Sequence, residues 1–226
     1  RLACTAAQGG GAGYVRLVLP AAAGGLSLDG GAPDVVHAGY DSLGDPRIGA
    51  VLVGPGLGRD EAARQRLVAA LAHGHPAVLD ADALVVLTPA DLAGHAGALV
   101  LTPHEGELAG LERGFALPGE GTKLDRARAL AAATGAVVVA KGPDTVIAAP
   151  DGRAVFAHRA SPWLSVAGTG DVLAGIVAAR LAAGGDAFDA AAEAVWLHGE
   201  AARRAGPAFS ASQLAATVRS AYAACL

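Results

Sequence analysis

The 226-residue sequence has no methionine, two cysteines, two lysines and only 4% aromatic residues. Cys4 and Cys225 sit at opposite ends with no CxxC and no histidine at ligand spacing. That excludes a disulfide framework or a zinc module and makes a reducing cytoplasm the expected compartment. Few aromatics argue against an aromatic-rich binding module. A net charge of −4 and a pI near 5.9 give no basic footprint, so nucleic acid is not an expected partner. Mean hydropathy is +0.41, yet Gly, Pro or a charge interrupts every apolar run before the roughly 18 residues of a membrane helix. Neither a membrane span nor a signal peptide is expected. The missing methionine, absent even at position 1, is the expectation for trimmed ends or for methionines carried in a modified form outside the written sequence.

What is present is alanine, valine, leucine and 32 glycines, with 53% hydrophobic and 17% charged residues. This composition suits close helix-on-sheet packing and excludes a disordered chain. Short β-branched runs alternate with longer Ala/Leu/Arg segments, the pattern of an α/β protein: a three-layer αβα sandwich around a mostly parallel sheet. Strands are expected at Tyr14–Leu19, Val35–His37, Ala50–Val53, Ala77–Leu79, Ala98–Leu101, Ala136–Ala140, Thr145–Ala149 and Ala154–Ala157. Several are continuously apolar, as for strands covered on both faces. The last two, flanking Pro150-Asp151-Gly152, read with Ala136–Ala140 as an antiparallel extension at the sheet edge. Helices are expected at Asp60–His73, Thr122–Thr134, Asp171–Ala183, Ala187–Ala205 and Ser210–Ala224, the last with Ser210 and Gln213 at capping-box spacing. Glu112–Gly121, punctuated by Pro and Gly, reads as a surface loop. No repeat or linker divides the chain, so residues 1–226 are expected to form one domain.

Ligands of open α/β sheets gather at the carboxyl ends of the strands, and the chemistry-bearing residues lie in loops of that kind. Gly54-Pro55-Gly56-Leu57-Gly58 follows a buried strand and lets backbone approach an anion. It is neither a dinucleotide fingerprint nor a P-loop, and an ordinary tight turn is its plainer reading. Asp80-Ala81-Asp82 could hold a metal or accept from ligand hydroxyls, while an N-cap aspartate would explain one of the two. In Thr102-Pro103-His104-Glu105-Gly106-Glu107, a helix starting after Pro103 puts His104 and Glu107 on one face. There Glu107 could orient a hydrated magnesium, although acids favour first helical turns in any case. His73 and His75 read as solvated loop residues.

Ala167-Gly168-Thr169-Gly170-Asp171 opens an amphipathic helix. Its successive amides form an anion hole suited to a transferring phosphoryl group, and Asp171 beside it can take a proton from an attacking hydroxyl. Packing alone explains such a loop poorly. Lys141-Gly142-Pro143-Asp144-Thr145, again after a buried strand, could wrap a nucleotide, with the Lys141 ammonium meeting a phosphate or ribose. A general preference for Arg over Lys also accounts for the scarcity of lysine.

These motifs, in this order and at about these separations, together with Trp196-Leu197-His198-Gly199, resemble the ADP/ATP-dependent NAD(P)H-hydrate dehydratase family of the ribokinase-like superfamily. The resemblance runs from about Gly9 to the C-terminus. It implies repair of a hydrated nicotinamide cofactor: ADP (ATP in eukaryotic relatives) phosphorylates the ring hydroxyl with magnesium present, and loss of phosphate restores NADH or NADPH. On the matching positions it implies Asp171 as the base. Lys141, Gly142, Pro143, Asp144, Thr145, Gly168, Thr169 and Gly170 would bind nucleotide, and Gly56, Gly58, Asp80, His104 and Asp171 the hydrated cofactor. Glu107 would stand near magnesium through water. Relatives carry a strand and Gly-rich turn ahead of a first helix. Here the chain is expected to start inside that helix, at Arg1–Gly11, with the leading strand missing. The resemblance also implies a homo-oligomer and, in many relatives, a preceding epimerase domain. A kinase for a small hydroxylated vitamin precursor would need the same base and anion hole, and the chain could also be a nucleotide-binding regulatory domain without catalysis. Retention of Asp171 weighs against the second.

Overall fold

Runs of Val, Leu, Ile and Ala too short for helices become strands when both their faces are covered. The computed structural model describes residues 1–19 and 34–225. Its strands are β1 (Val15–Val18), β2 (Val35–Ala38), β3 (Val51–Val53), β4 (Ala77–Leu79), β5 (Leu99–Leu101), β6 (Val137–Ala140), β7 (Val146–Ala148) and β8 (Ala154–Phe156). The last six form one sheet in sequence order, parallel from β3 to β6 and antiparallel from β6 through β8. The expected antiparallel extension is therefore present. β1 and β2 form a separate parallel pair.

The α-helices are α1 (Leu2–Gly9), α2 (Glu61–Leu71), α3 (Asp82–Val86), α4 (Pro89–Leu92), α5 (Glu105–Gly114), α6 (Lys123–Thr134), α7 (Thr169–Ala182), α8 (Ala187–Ala205) and α9 (Ala211–Tyr222). Side chains alternate across a strand, and that period sorts the apolar residues into two cores. Val78, Val100, Val139 and Ile147 face α7, α8 and α9 through Ile176, Leu197 and Leu214. Leu79, Leu101, Val138 and Val146 face the other helix layer through Leu67, Leu84, Leu108 and Leu130. The result is the expected αβα sandwich. No described helix is long and apolar enough to cross a membrane.

Several local expectations need correction. Glu112 is not in a surface loop: α5 continues to Gly114, and Glu112, 4% exposed, receives two hydrogen bonds from Arg126 of α6. Burying a carboxylate against a bidentate guanidinium holds α5 in its helix past the punctuation. Neither acid of Asp80-Ala81-Asp82 is the N-cap of α3. Ala81 is, with φ of 50°, and Asp82 is the first helical residue. His75 is not simply solvated, since its Nε2 lies 2.8 Å from the Leu43 carbonyl oxygen.

Close helix packing depends on small residues. A Cβ at Gly175 of α7 would run into the carbonyl oxygen of Ala3 in α1. Gly175→Val should cost about 3 kcal/mol, since backbone cannot yield as a side chain tip can. For a chain of this size that is a fall of roughly 6–12 °C in the melting midpoint. A thermal unfolding scan checks it, and an unchanged midpoint would show that α1 does not press on α7 there.

Candidate active site

Because β3 to β6 are parallel, their carboxyl ends open on one edge, and main-chain hydrogen bonds stitch the following loops together. The Asp80 amide donates to the Val53 carbonyl (3.1 Å), the Thr102 amide to that of Leu79 (3.1 Å), and the Lys141 amide to that of Pro103 (2.8 Å). The Gly54 turn closes over this row. Gly54 has φ of 135°, and a Cβ there would collide with the Asp80 carbonyl oxygen. Glycine is thus a steric necessity at that position. Gly56 and Gly58 lie exposed on the same turn, and the Gly58 amide donates to Asp82 Oδ2 (3.2 Å).

At the centre stands Lys141. Its Nζ is 2.8 Å from Asp80 Oδ1 and 3.8 Å from Glu107 Oε2. Asp80 is 1% exposed, and the same Oδ1 accepts a 2.7 Å bond from the fully buried Thr102 hydroxyl. Asp80 therefore supports Lys141 from below. Asp82 turns away to Arg59 (2.7 Å), so the two acids of this loop do not converge on a common metal.

His104 is the N-cap of α5. Its Nδ1 accepts from the amides of Gly106 (3.0 Å) and Glu107 (3.2 Å), which leaves Nε2 as the protonated nitrogen of the neutral ring. Glu107 completes a capping box, its Oε2 accepting from the His104 amide at 2.8 Å. His104 is exposed on this rim and Glu107 is half-buried. The helix expected after Pro103 is present, and both side chains also serve its start.

The Gly168–Asp171 segment meets Lys141 from the opposite layer. Gly168, with φ of 87°, is the N-cap of α7, wedged against Leu2 and Ala211. The Thr169 amide is directed to the Val166 carbonyl at 3.3 Å. The amides free to face an anion are those of Gly170 and Asp171, which open the helix without intrahelical acceptors. A Cβ at Gly170 would lie 3.4 Å from Lys141 Nζ, so the ammonium rests against this helix start. Asp171 is half-buried. Burial, reinforced by the charge of Asp80, pushes its carboxyl above the usual range, and Lys141 opposes the rise.

Two supports were not singled out by sequence reasoning. The buried His198 of α8 donates from Nε2 to the Thr169 carbonyl (3.0 Å), while the Thr169 hydroxyl reaches the carbonyls of Leu164 (2.6 Å) and Val166 (2.8 Å). Burial holds the His198 imidazole down at about 4, so it stays a neutral donor. The signal was its place in Trp196-Leu197-His198-Gly199. The second support is Lys123 of α6, which pairs with Asp144. In that loop the Thr145 hydroxyl donates to the Gly142 carbonyl (2.7 Å) and accepts from the Gly142 amide (3.1 Å), and Pro143 and Asp144 are exposed. Among the described residues no group of three His, Cys, Asp or Glu side chains is placed to hold a metal directly.

A family profile described as NAD(P)H-hydrate dehydratase matches residues 1–222. The ADP-dependent (S)-NAD(P)H-hydrate dehydratase of Neisseria meningitidis is 36% identical over 198 residues, covering 84% of this chain and 65% of that protein. The bifunctional NAD(P)H-hydrate repair enzyme Nnr of Mycobacterium tuberculosis is 44% identical over 148 residues, covering 65% of this chain and 31% of that protein. This chain thus spans less than two thirds of the length of these relatives. The solved structure of ADP/ATP-dependent NAD(P)H-hydrate dehydratase from Bacillus subtilis, co-crystallized with ATP/Mg2+ and soaked with CoA, is 26% identical. It superposes with a TM-score of 0.79 over 99% of this chain and 85% of that one. The layered α/β fold is ribokinase-like. With the profile spanning nearly every residue and the strand-end loops meeting around Lys141, the chain belongs to the NAD(P)H-hydrate dehydratase family.

Proposed function

We propose that this chain dehydrates hydrated NADH or NADPH at the expense of ADP or ATP, using Asp171 as general base. The observation that carries the reading is Asp171 itself. It is a carboxyl lifted by burial at the start of α7, beside two unengaged amides and against the Lys141–Asp80 pair. With its proton affinity raised by burial, this carboxyl holds a proton taken from an alcohol better than an ordinary aspartate does. The hydroxyl proton passes to Asp171 as the oxygen bonds to the terminal phosphorus and the nucleotide leaves. The Gly170 and Asp171 amides stabilise charge on the transferring group. The phosphate then departs with the electron pair of its carbon–oxygen bond. A proton lost from the neighbouring ring carbon restores the double bond, and AMP and phosphate remain when ADP is used. Hydroxide is a poor leaving group and phosphate a good one, which is the reason to spend a nucleotide on a dehydration.

Lys141, Gly142, Pro143, Asp144, Thr145, Gly168, Thr169 and Gly170 form the nucleotide side of this reading. Gly56, Gly58 and His104 form the rim for the hydrated cofactor. The site fits magnesium of the hydrated kind, which takes one or two carboxylates and gains its other ligands from water and phosphate. Glu107 would hold it through water, and it would offset the phosphate charge.

Incubating the protein with hydrated NADH, magnesium and either ADP or ATP should regenerate reduced-nicotinamide absorbance with release of phosphate. A stable phosphorylated alcohol in place of recovered NADH would instead assign a kinase. Asp171→Asn should lower turnover by at least about a thousandfold while ADP affinity stays within a few-fold of wild type. Calorimetry and the absorbance assay separate the two effects, and near-normal turnover would remove Asp171 as the base.

A further inference from the structure

The sequence holds two lysines among its seventeen Lys and Arg residues, and both reach the same five-residue loop. Lys141 begins that loop. Lys123 comes from the start of α6, eighteen residues earlier, and has no part in the functional reading above. Its position breaks a local rule. As the first residue of α6, behind the Thr122 N-cap, it puts a cation where the helix dipole favours an acid. Violations of this kind point to a function the local rule does not serve.

The Lys123 ammonium crosses the loop from outside. It pairs with the Asp144 carboxylate, lies 3.4 Å from the Lys141 carbonyl oxygen, and has a side chain only 15% exposed. It passes close over Gly142, where a Cβ would stand 2.5 Å from Lys123 Nζ. A compact ammonium threads such a gap where a planar guanidinium would not fit well. The loop thus has two grips: the Thr145 hydroxyl closes it from within, and Lys123 bridges its first and fourth residues from above. Lys123 also neutralises Asp144, an exposed carboxylate in a loop read as facing phosphates.

We infer that Lys123 is a positioning residue for the nucleotide: by gripping Asp144 and the Lys141 carbonyl, it fixes the Lys141–Thr145 turn in the form that receives ADP or ATP. This rests on the nucleotide reading of the loop given above.

The test is ADP titration by calorimetry on wild type, Lys123→Met, Lys123→Arg, Asp144→Asn and the Lys123→Met/Asp144→Asn double variant, each first shown by circular dichroism to be folded. Lys123→Met and Asp144→Asn should each weaken ADP about tenfold. The double variant should be no weaker than the weaker single, because both remove one interaction. Lys123→Arg, which keeps the charge but crowds Gly142, should fall between Lys123→Met and wild type. In turnover assays the KM for ADP should rise in Lys123→Met while that for the hydrated cofactor stays within about twofold, a split that a general loss of packing would not give. Unchanged ADP affinity in Lys123→Met, or losses that multiply in the double variant, would overturn the inference. So would tighter binding in Asp144→Asn, which would make Lys123 a direct phosphate ligand. Failure of the wild type to bind ADP or ATP would instead reject the nucleotide reading itself.

Discussion

One ion pair organises the site: the Lys141 ammonium against the nearly inaccessible Asp80 carboxylate, with the Thr102 hydroxyl on the same oxygen. A buried charge pair costs desolvation, and either partner left alone would cost far more. Each residue therefore fixes the other, and with them two strand-end loops 61 residues apart in the chain. Around this fixed point Glu107 stands on one side and the start of α7 on the other. The proton affinity of Asp171, the base in the proposed reaction, responds to both charges of that pair.

The sandwich supplies this arrangement by bringing two independent layers to one edge. The loops after β4, β5 and β6 come from the sheet, whereas the Gly168–Asp171 segment belongs to α7 and is held by its own layer. Leu2 and Ala211 flank Gly168, and His198 of α8 holds the Thr169 carbonyl. Proton acceptor and cation thus come from different layers and meet at the start of α7. The abundance of Ala and Gly has the same origin, since α1 and α7 approach until a single methyl group at Gly175 would not fit.

Much of this was legible in the sequence, and what was not has physical reasons. Continuous apolar runs such as Ala77–Leu79 and Val137–Ala140 announced doubly covered strands, and the Gly- and Asp-rich ends of those runs marked the loops that converge. The same continuity hid the division into two cores: when both faces are apolar, alternation leaves no trace. Partnerships across the chain were equally silent. Nothing near Asp80 names Lys141 as its partner, and nothing near Lys123 points to Asp144. Glu112 was misplaced because local punctuation at Gly114 and Pro118 outweighed a tertiary bond to Arg126 that sequence does not display. The short helices α3 and α4 were passed over, being too short to show a period.

The central claim is that Asp171 is poised by its surroundings. Burial and Asp80 raise its proton affinity, and Lys141 restrains it. The direct measurement is a carbon-detected NMR titration of the Asp171 carboxyl in wild type and in Asp80→Asn. The account predicts a wild-type midpoint above that of an ordinary aspartate. In Asp80→Asn the midpoint should fall, because a repelling carboxylate is gone and Lys141 is released to the base. A wild-type midpoint at or below the ordinary aspartate value, unmoved by Asp80→Asn, would contradict it.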